Sequence, residues 1–307
     1  MIVCNALFFL SKIIFWQAQS FSGFLLERAL LAVVLSGISG VDTSIIYLSS
    51  GGENSHRAFG IFEGLGAAGV LFSAAVYTAF IGESYRAAGF LTAVSYGIAA
   101  LLSFGLKEVK TVQNTPNRSL GYFVGILKET VSNRRLILLI VSVAIFTEVN
   151  QTITVFFNQL QYTKAGMSVR LISAVYILST LTGLLSVFSA PLTKKLKPKF
   201  FGGMLFALCA CSCFMLALTE NPFVSVFGVL LVGVCFRLMF PLGTQLINEA
   251  ITTEDRATAL SMGTLIADLI AVFTNLVFGK LADFNLSAAM SFGGILCLLG
   301  LYLFTKR

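Results

Sequence analysis

Three ionisable residues, Glu148, Arg237 and Asp268, fall midway along uninterrupted apolar runs of this 307-residue chain. A charged side chain at the centre of a bilayer costs about 2.5–3.5 kcal/mol on insertion scales, so each needs a partner, a wet cavity or a function. Left unpaired, the three together would cost roughly 8–10 kcal/mol, comparable to the whole stability of a domain. Because all three fall near the same depth, the spacing predicts one shared polar interior. Arg237 is permanently charged and can hold a carboxylate in a two-pronged hydrogen bond, whereas Glu148 or Asp268 can gain and lose a proton. That is the minimum equipment for proton-coupled movement. A static salt bridge fixing helix packing is the competing reading, and it is disfavoured because such pairs rarely stabilise more than apolar packing would.

The run that carries Glu148 adds Asn150, Gln151, Asn158 and Gln159, an amide-rich stripe suited either to substrate contact or to bonds with neighbouring helices. Arg28 follows Glu27 near one end of an earlier run, and Asp42, Arg57 and Glu63 gather around a single turn. These predict ion-pair or gating contacts, against the plainer reading of long side chains snorkelling to the interface. His56 lies in the polar turn GGENSHR and is expected to be solvated. The six cysteines lie inside apolar runs, where small-hydrophobe packing is the expectation for Cys209, Cys211 and Cys213 rather than metal binding.

The elements that position these residues follow from composition. The chain is 57% hydrophobic and only 11% charged, with a mean hydropathy of +0.89, against about a quarter charged residues in ordinary globular domains. Apolar runs of about 20 residues, the length needed to cross a roughly 30 Å hydrocarbon core, predict ten helices near 2–18, 22–48, 57–81, 85–106, 136–158, 169–189, 199–218, 223–248, 256–280 and 284–304. The expected fold is an all-α membrane protein of two bundles, four helices plus six: residues 1–106, a basic linker 107–135 broken by Pro116 and Asn117, and residues 136–307. With the N-terminus inside, fourteen of the 21 Lys/Arg fall on the cytoplasmic side, four outside, and three (Lys12, Arg28, Arg237) within spans. The positive-inside rule therefore places residues 49–57, the linker, 190–199, 248–256 and the C-terminus in the cytoplasm. The net charge of +7 is thus topological and does not predict nucleic-acid binding. The first apolar stretch lacks a basic leader and a small-residue cleavage site, so it reads as a membrane helix. Gly60, Gly64, Gly66 and Gly69 predict a helix-packing face, and Pro241 a point where the eighth helix can bend.

No phosphate-cradling loop, HExxH, nucleophile elbow or paired CxxC occurs in the sequence, so no enzyme, cofactor or metal is expected. Three segments resemble the major facilitator superfamily: NEAITTEDRATALS (248–261), like the loop before that family's eleventh helix; FLLERALLAVVLSGISGVDTSIIYLS (24–49), similar to its fourth helix with Arg28 at the family's arginine; and GKLADFNLSAA (279–289), like the end of the eleventh. On this resemblance the ten spans correspond to helices three to twelve, the first two being absent, as in a truncated reading frame. APLTKKLKPKF (190–200) occupies the place of the second-half GxxxDRxGRR signature with Lys194 for the expected Asp and Lys197 for the expected Gly. GLGAAGVLFSAA (64–75) matches the family's GxxxGPxxGG without its proline. The resemblance implies a monomeric, multi-pass secondary transporter of the plasma membrane, moving a small solute by alternating access with protons as the expected coupling ion. The alternative is a truncated, non-transporting membrane protein of the same fold.

Overall fold

The structure, a computed structural model, describes residues 1–51, 55–76, 85–106, 120–253 and 255–307. Lys107, Lys110, Pro116, Asn117 and Arg118 of the linker, and the end of the third expected helix, lie outside the described residues. In chain order the helices are α1 (Ile2–Gln17), α2 (Phe21–Ile38), α3 (Val41–Ser49), α4 (Ser55–Val76), α5 (Tyr85–Ser103), α6 (Leu120–Ser132), α7 (Arg134–Gln151), α8 (Asn158–Lys164), α9 (Val169–Leu181), α10 (Ser189–Leu196), α11 (Pro198–Leu218), α12 (Pro222–Ala250), α13 (Arg256–Phe284) and α14 (Leu286–Lys306). A π-helical turn, Thr152–Phe157, joins α7 to α8, and a 3₁₀ segment, Thr182–Phe188, joins α9 to α10. Eight rods among the described residues are long and apolar enough to cross a membrane, and α1 is a shorter apolar helix.

Helices dominate because hydrocarbon offers backbone groups no alternative partner. Their starts are set by polar caps: Asn133, Asn221, Asp255 and Asn285 each accept a first-turn N–H with their side chains, and Pro198 and Pro222 open their helices. Large apolar side chains such as Leu101, Phe223, Phe273 and Leu276 stand exposed. That is the pattern of a surface facing lipid.

The best-packed region is formed by α7, α11, α12 and α14, with Phe146, Phe206, Leu216, Met239 and Cys297 fully enclosed. Glycines let these backbones approach: a Cβ on Gly202 would enter the Phe304 ring, and one on Gly300 would come within 2.5 Å of Phe206. α1, α2 and α5 pack together as a separate group. α4 lies against α9, the 3₁₀ segment and α12. The second half of the expected linker is helix α6, docked on α13 and tied to the segment between α12 and α13 by Thr252, which donates to Glu129 Oε1 at 3.1 Å.

Three expectations change. The second helix is broken at Gly40, whose φ of +76° is the left-handed conformation glycine adopts freely. Residues 190–199 are not a loop: α10 runs to Leu196 and α11 starts at Pro198, leaving Lys197 as a one-residue turn. Only part of the glycine face of α4 is used, because Gly66 and Gly69 meet open space while Gly60 and Gly64 touch Ser186 and Val187. A step of two residues rotates about 200° around a helix, so Gly66 cannot share the face of Gly64. α12 continues as a helix through Pro241.

Candidate functional site

A cavity of about 510 Å³ opens between α2 and α3 on one side and α7, α12 and α13 on the other. Among the described residues three carboxylates line it, Asp42 from α3, Glu148 from α7 and Asp268 from α13, with no Lys, Arg or His in the wall. Asp42 sits in the first turn of α3 and accepts the Thr43 N–H at 2.7 Å. Glu148 accepts a hydrogen bond from Asn275 Nδ2 at 3.1 Å, and Thr152 donates to Asn275 Oδ1 at 3.4 Å. Neutral donors therefore hold Glu148, so protonation would not have to break an ion pair. Asn248, fully buried on the same wall, donates to Thr244 O at 2.9 Å and leaves its Oδ1 without a partner. The rest of the wall is apolar or hydroxylic, including Thr147, Thr244 and Thr264. The arrangement can bind protons or a positively charged group.

Arg237 is not among the lining residues of this cavity. Its guanidinium lies 3.5 Å from Glu63 Oε2, pairing α12 with α4, with the two side chains 35% and 19% exposed. The expected pairing of Arg237 with Glu148 or Asp268 is therefore corrected: the structure gives the arginine a carboxylate of its own. The same face of α4 carries His56, whose Nε2 is 2.8 Å from Ser189 Oγ, and Gly60, whose carbonyl accepts from Ser186 Oγ at 2.9 Å. The expectation of a solvated His56 is likewise overturned, since the ring is buried. Facing α4 are Gly183, Ser186 and Ser189, spaced by three residues. A 3₁₀ helix has three residues per turn, so this segment aligns all three on one line and presents them to the α4 stripe of His56, Gly60 and Ala67.

The remaining candidates are scattered. Asn150 is buried and its carbonyl accepts from Thr154, Gln151 is exposed, and Asn158 donates to Thr154 O at 2.7 Å. The π turn after Gln151 inserts an extra residue, so the amides before and after it do not form one face. Arg28 Nε is 2.9 Å from Glu27 Oε2, while Lys12 donates to the other Glu27 oxygen at 2.8 Å, a buried link between α1 and α2. Asp42, Arg57 and Glu63 do not form a mutual latch: the first lines the acidic cavity, the last binds Arg237, and Arg57 has no ion-pair partner among the described residues. The cysteine sulfurs that converge are those of Cys209, Cys213 and Cys297, within 4.8 Å of one another in the apolar core, whereas Cys211 faces outward. Sequence reasoning missed Asn275. It stands seven residues after Asp268 on α13, so two turns of helical periodicity could have found it.

A family profile described as Major Facilitator Superfamily matches residues 1–274. The comparison with curated proteins finds no match. Solved structures share the fold: the human organic anion transporter TETRAN at 14% identity and a TM-score of 0.78, covering 99% of this chain and 76% of that one; and the Escherichia coli fucose:proton symporter FucP at 15% and 0.77, covering 99% and 82%. A bacterial homologue of the human lysosomal transporter Spinster, inward-facing and unoccupied, aligns at 15% and 0.55, covering 99% and 81%.

Proposed function

The chain belongs to the Major Facilitator Superfamily, and from that premise we propose that it is a secondary transporter moving a small solute by alternating access, coupled to protons at Glu148 or Asp268. The observation that carries this reading is the cavity with Asp42, Glu148 and Asp268 on walls from both sides of the helix assembly and no cation in its lining among the described residues. Carboxylates held only by neutral groups can exchange protons as their surroundings change, and walls from separate helix groups let that exchange bias their approach. Asp42 joins the proposed proton-exchanging set, while Arg237 and Glu63 serve as a strut between α12 and α4. The basic ends of the helices face the cytoplasm of a plasma-membrane protein by the positive-inside rule, and the unit is a monomer.

The test is uptake of a panel of labelled neutral and cationic solutes into proteoliposomes under an imposed proton gradient. At least one solute should accumulate, and Glu148→Gln and Asp268→Asn should each abolish gradient-driven accumulation while leaving the protein folded. Full accumulation in both variants would remove the proton role. Accumulation of nothing by the folded wild-type chain would favour a non-transporting membrane protein of this fold.

A further inference from the structure

A second cavity, of about 750 Å³, lies at the basic end of the seam where α4 meets α10 and α12. Among the described residues, Arg57, Lys194 and Lys197 line it against one carboxylate, Glu249, whose Oε1 already accepts from Gln245 at 2.6 Å. We propose that this cavity binds the phosphate headgroup of an anionic membrane lipid. Acceptance of a phosphate needs donors that lack other partners, and Thr193 supplies one: it lines the cavity, is 6% exposed, and its Oγ1 has no hydrogen-bond partner. The N-terminus of the 21-residue α11 begins beside it at Pro198, adding the positive end of a helix dipole.

Lys197 is the feature hardest to explain otherwise. Among the described residues it is the one non-glycine with positive φ, at φ 66° and ψ 142°, a region that glycine occupies freely and other residues only under strain. A strained backbone position that carries a cation where glycine would relax the chain indicates that the cation itself is used. The cavity is also graded along the helix axes. Arg57, Lys194 and Lys197 stand at the basic end, while Ile61, one turn further along α4, and Val187 and Phe188, before α10, form an apolar wall toward the middle of the apolar helices. An amphiphile with its phosphate at the interface and its chain in hydrocarbon satisfies both ends, whereas a dissolved anion would leave the apolar wall unmatched. The lipid would bridge α4 and α10 directly beside the His56–Ser189 contact. This inference does not depend on transport activity.

The experiment follows lipid retention by native mass spectrometry and thermal unfolding of the purified full chain in nanodiscs of phosphatidylcholine, with and without phosphatidylglycerol. Variants are Lys194→Gln, Lys197→Gly, which fits the positive φ and so keeps the fold, and Lys280→Gln as a charge-matched control at the other end of the helices. Phosphatidylglycerol should be retained and raise the unfolding midpoint of the wild type. Its apparent affinity should fall about fivefold in each of the first two variants, the worth of one basic residue near an anionic surface, and stay unchanged in Lys280→Gln. Wild-type retention in Lys197→Gly and Lys194→Gln, or a loss in the Lys280→Gln control as large as in those two, would overturn the site. So would an equal rise in midpoint with dissolved glycerol phosphate, because the ligand would then be a solution anion.

Discussion

Neutralising the Glu63–Arg237 strut should loosen α4 from α12 and shift the chain toward conformers open at the basic end. At an effective dielectric of about 20, unit charges at the observed 3.5 Å attract by about 5 kcal/mol before desolvation is counted. Both side chains keep contact with solvent and Arg237 is 35% exposed, so water screens the pair and offsets most of that attraction. A coupling of about 1–2 kcal/mol remains, a roughly 5- to 30-fold change in a two-state equilibrium. The assay is a double-mutant cycle of Glu63→Gln, Arg237→Gln and the double variant, read by energy transfer between fluorophores placed at Ser50, after α3, and Lys195, in α10. Each single variant should move the population toward longer distances, and the double variant should do less harm than the two effects summed. Strict additivity would show that the two groups do not sense each other, and the strut would have to be abandoned.

Gly40→Ala should lower the thermal midpoint and separate α3 from α13: the left-handed backbone alone costs roughly 1–2 kcal/mol for an L residue, and the new Cβ would lie 2.6 Å from Ala257 O. A variant as stable as the wild type would contradict that packing. Gly202→Ala should destabilise the α11–α14 core by overpacking the Phe304 ring, by about 1–3 kcal/mol; Phe304→Leu in the same chain should recover part of the loss in thermal unfolding. Ser186→Ala, which removes the hydroxyl that bridges Gly60 O and Gly183 O, should cost about 0.5–1.5 kcal/mol and lengthen the same fluorophore distance without changing expression. Monovalent organic anions should fail to compete for the solute site in binding assays, since among the described residues the cavity wall bearing Asp42, Glu148 and Asp268 has no cation; tight binding of an anionic solute there would refute the assignment.

The membrane spans were legible because hydrocarbon imposes a length and a composition that no other environment imposes. Residues 134–164 and 222–250 form rods where unbroken apolar runs predict them. Legibility failed where a single backbone angle decides. Nothing in APLTKKLKPKF distinguishes a loop from a helix that reverses on one residue, because the reversal at Lys197 rests on a positive φ that lysine rarely adopts. Within the candidate site, the depth of Glu148 and Asp268 along their helices was readable and their azimuth was not. Arg237 was expected to turn toward them, but a residue's direction around α12 depends on which neighbours pack there. Its partner Glu63 sits on α4, distant in sequence, beside glycines that let α4 approach closely. His56 was misjudged for the same reason: a polar turn looks solvated until the 3₁₀ segment brings Ser189 against it.

The division of charge between the two flanks bears on how such a chain could move. On the α4 flank the ionic contact is between opposite charges, Glu63 and Arg237, and this attraction holds the flank together with no further input. On the α3–α13 flank the charged groups that line the cavity among the described residues are carboxylates, Asp42 against Glu148 and Asp268, and like charges resist the approach of their walls, while outside the lining Arg256 of α13 covers the Tyr47 ring of α3. A proton, or a cation entering the cavity, lowers that repulsion without touching the strut on the opposite side. Ligand binding can shift a conformational equilibrium only by its differential affinity for the two states. Here the state with α3 and α13 drawn together gains most from neutralisation, because its carboxylates are closest. A carboxylate pinned by Arg237 would have lacked that response, since its charge would already be compensated in both states. Placing the arginine on α4's glutamate therefore leaves the acidic cavity able to report the arrival of positive charge.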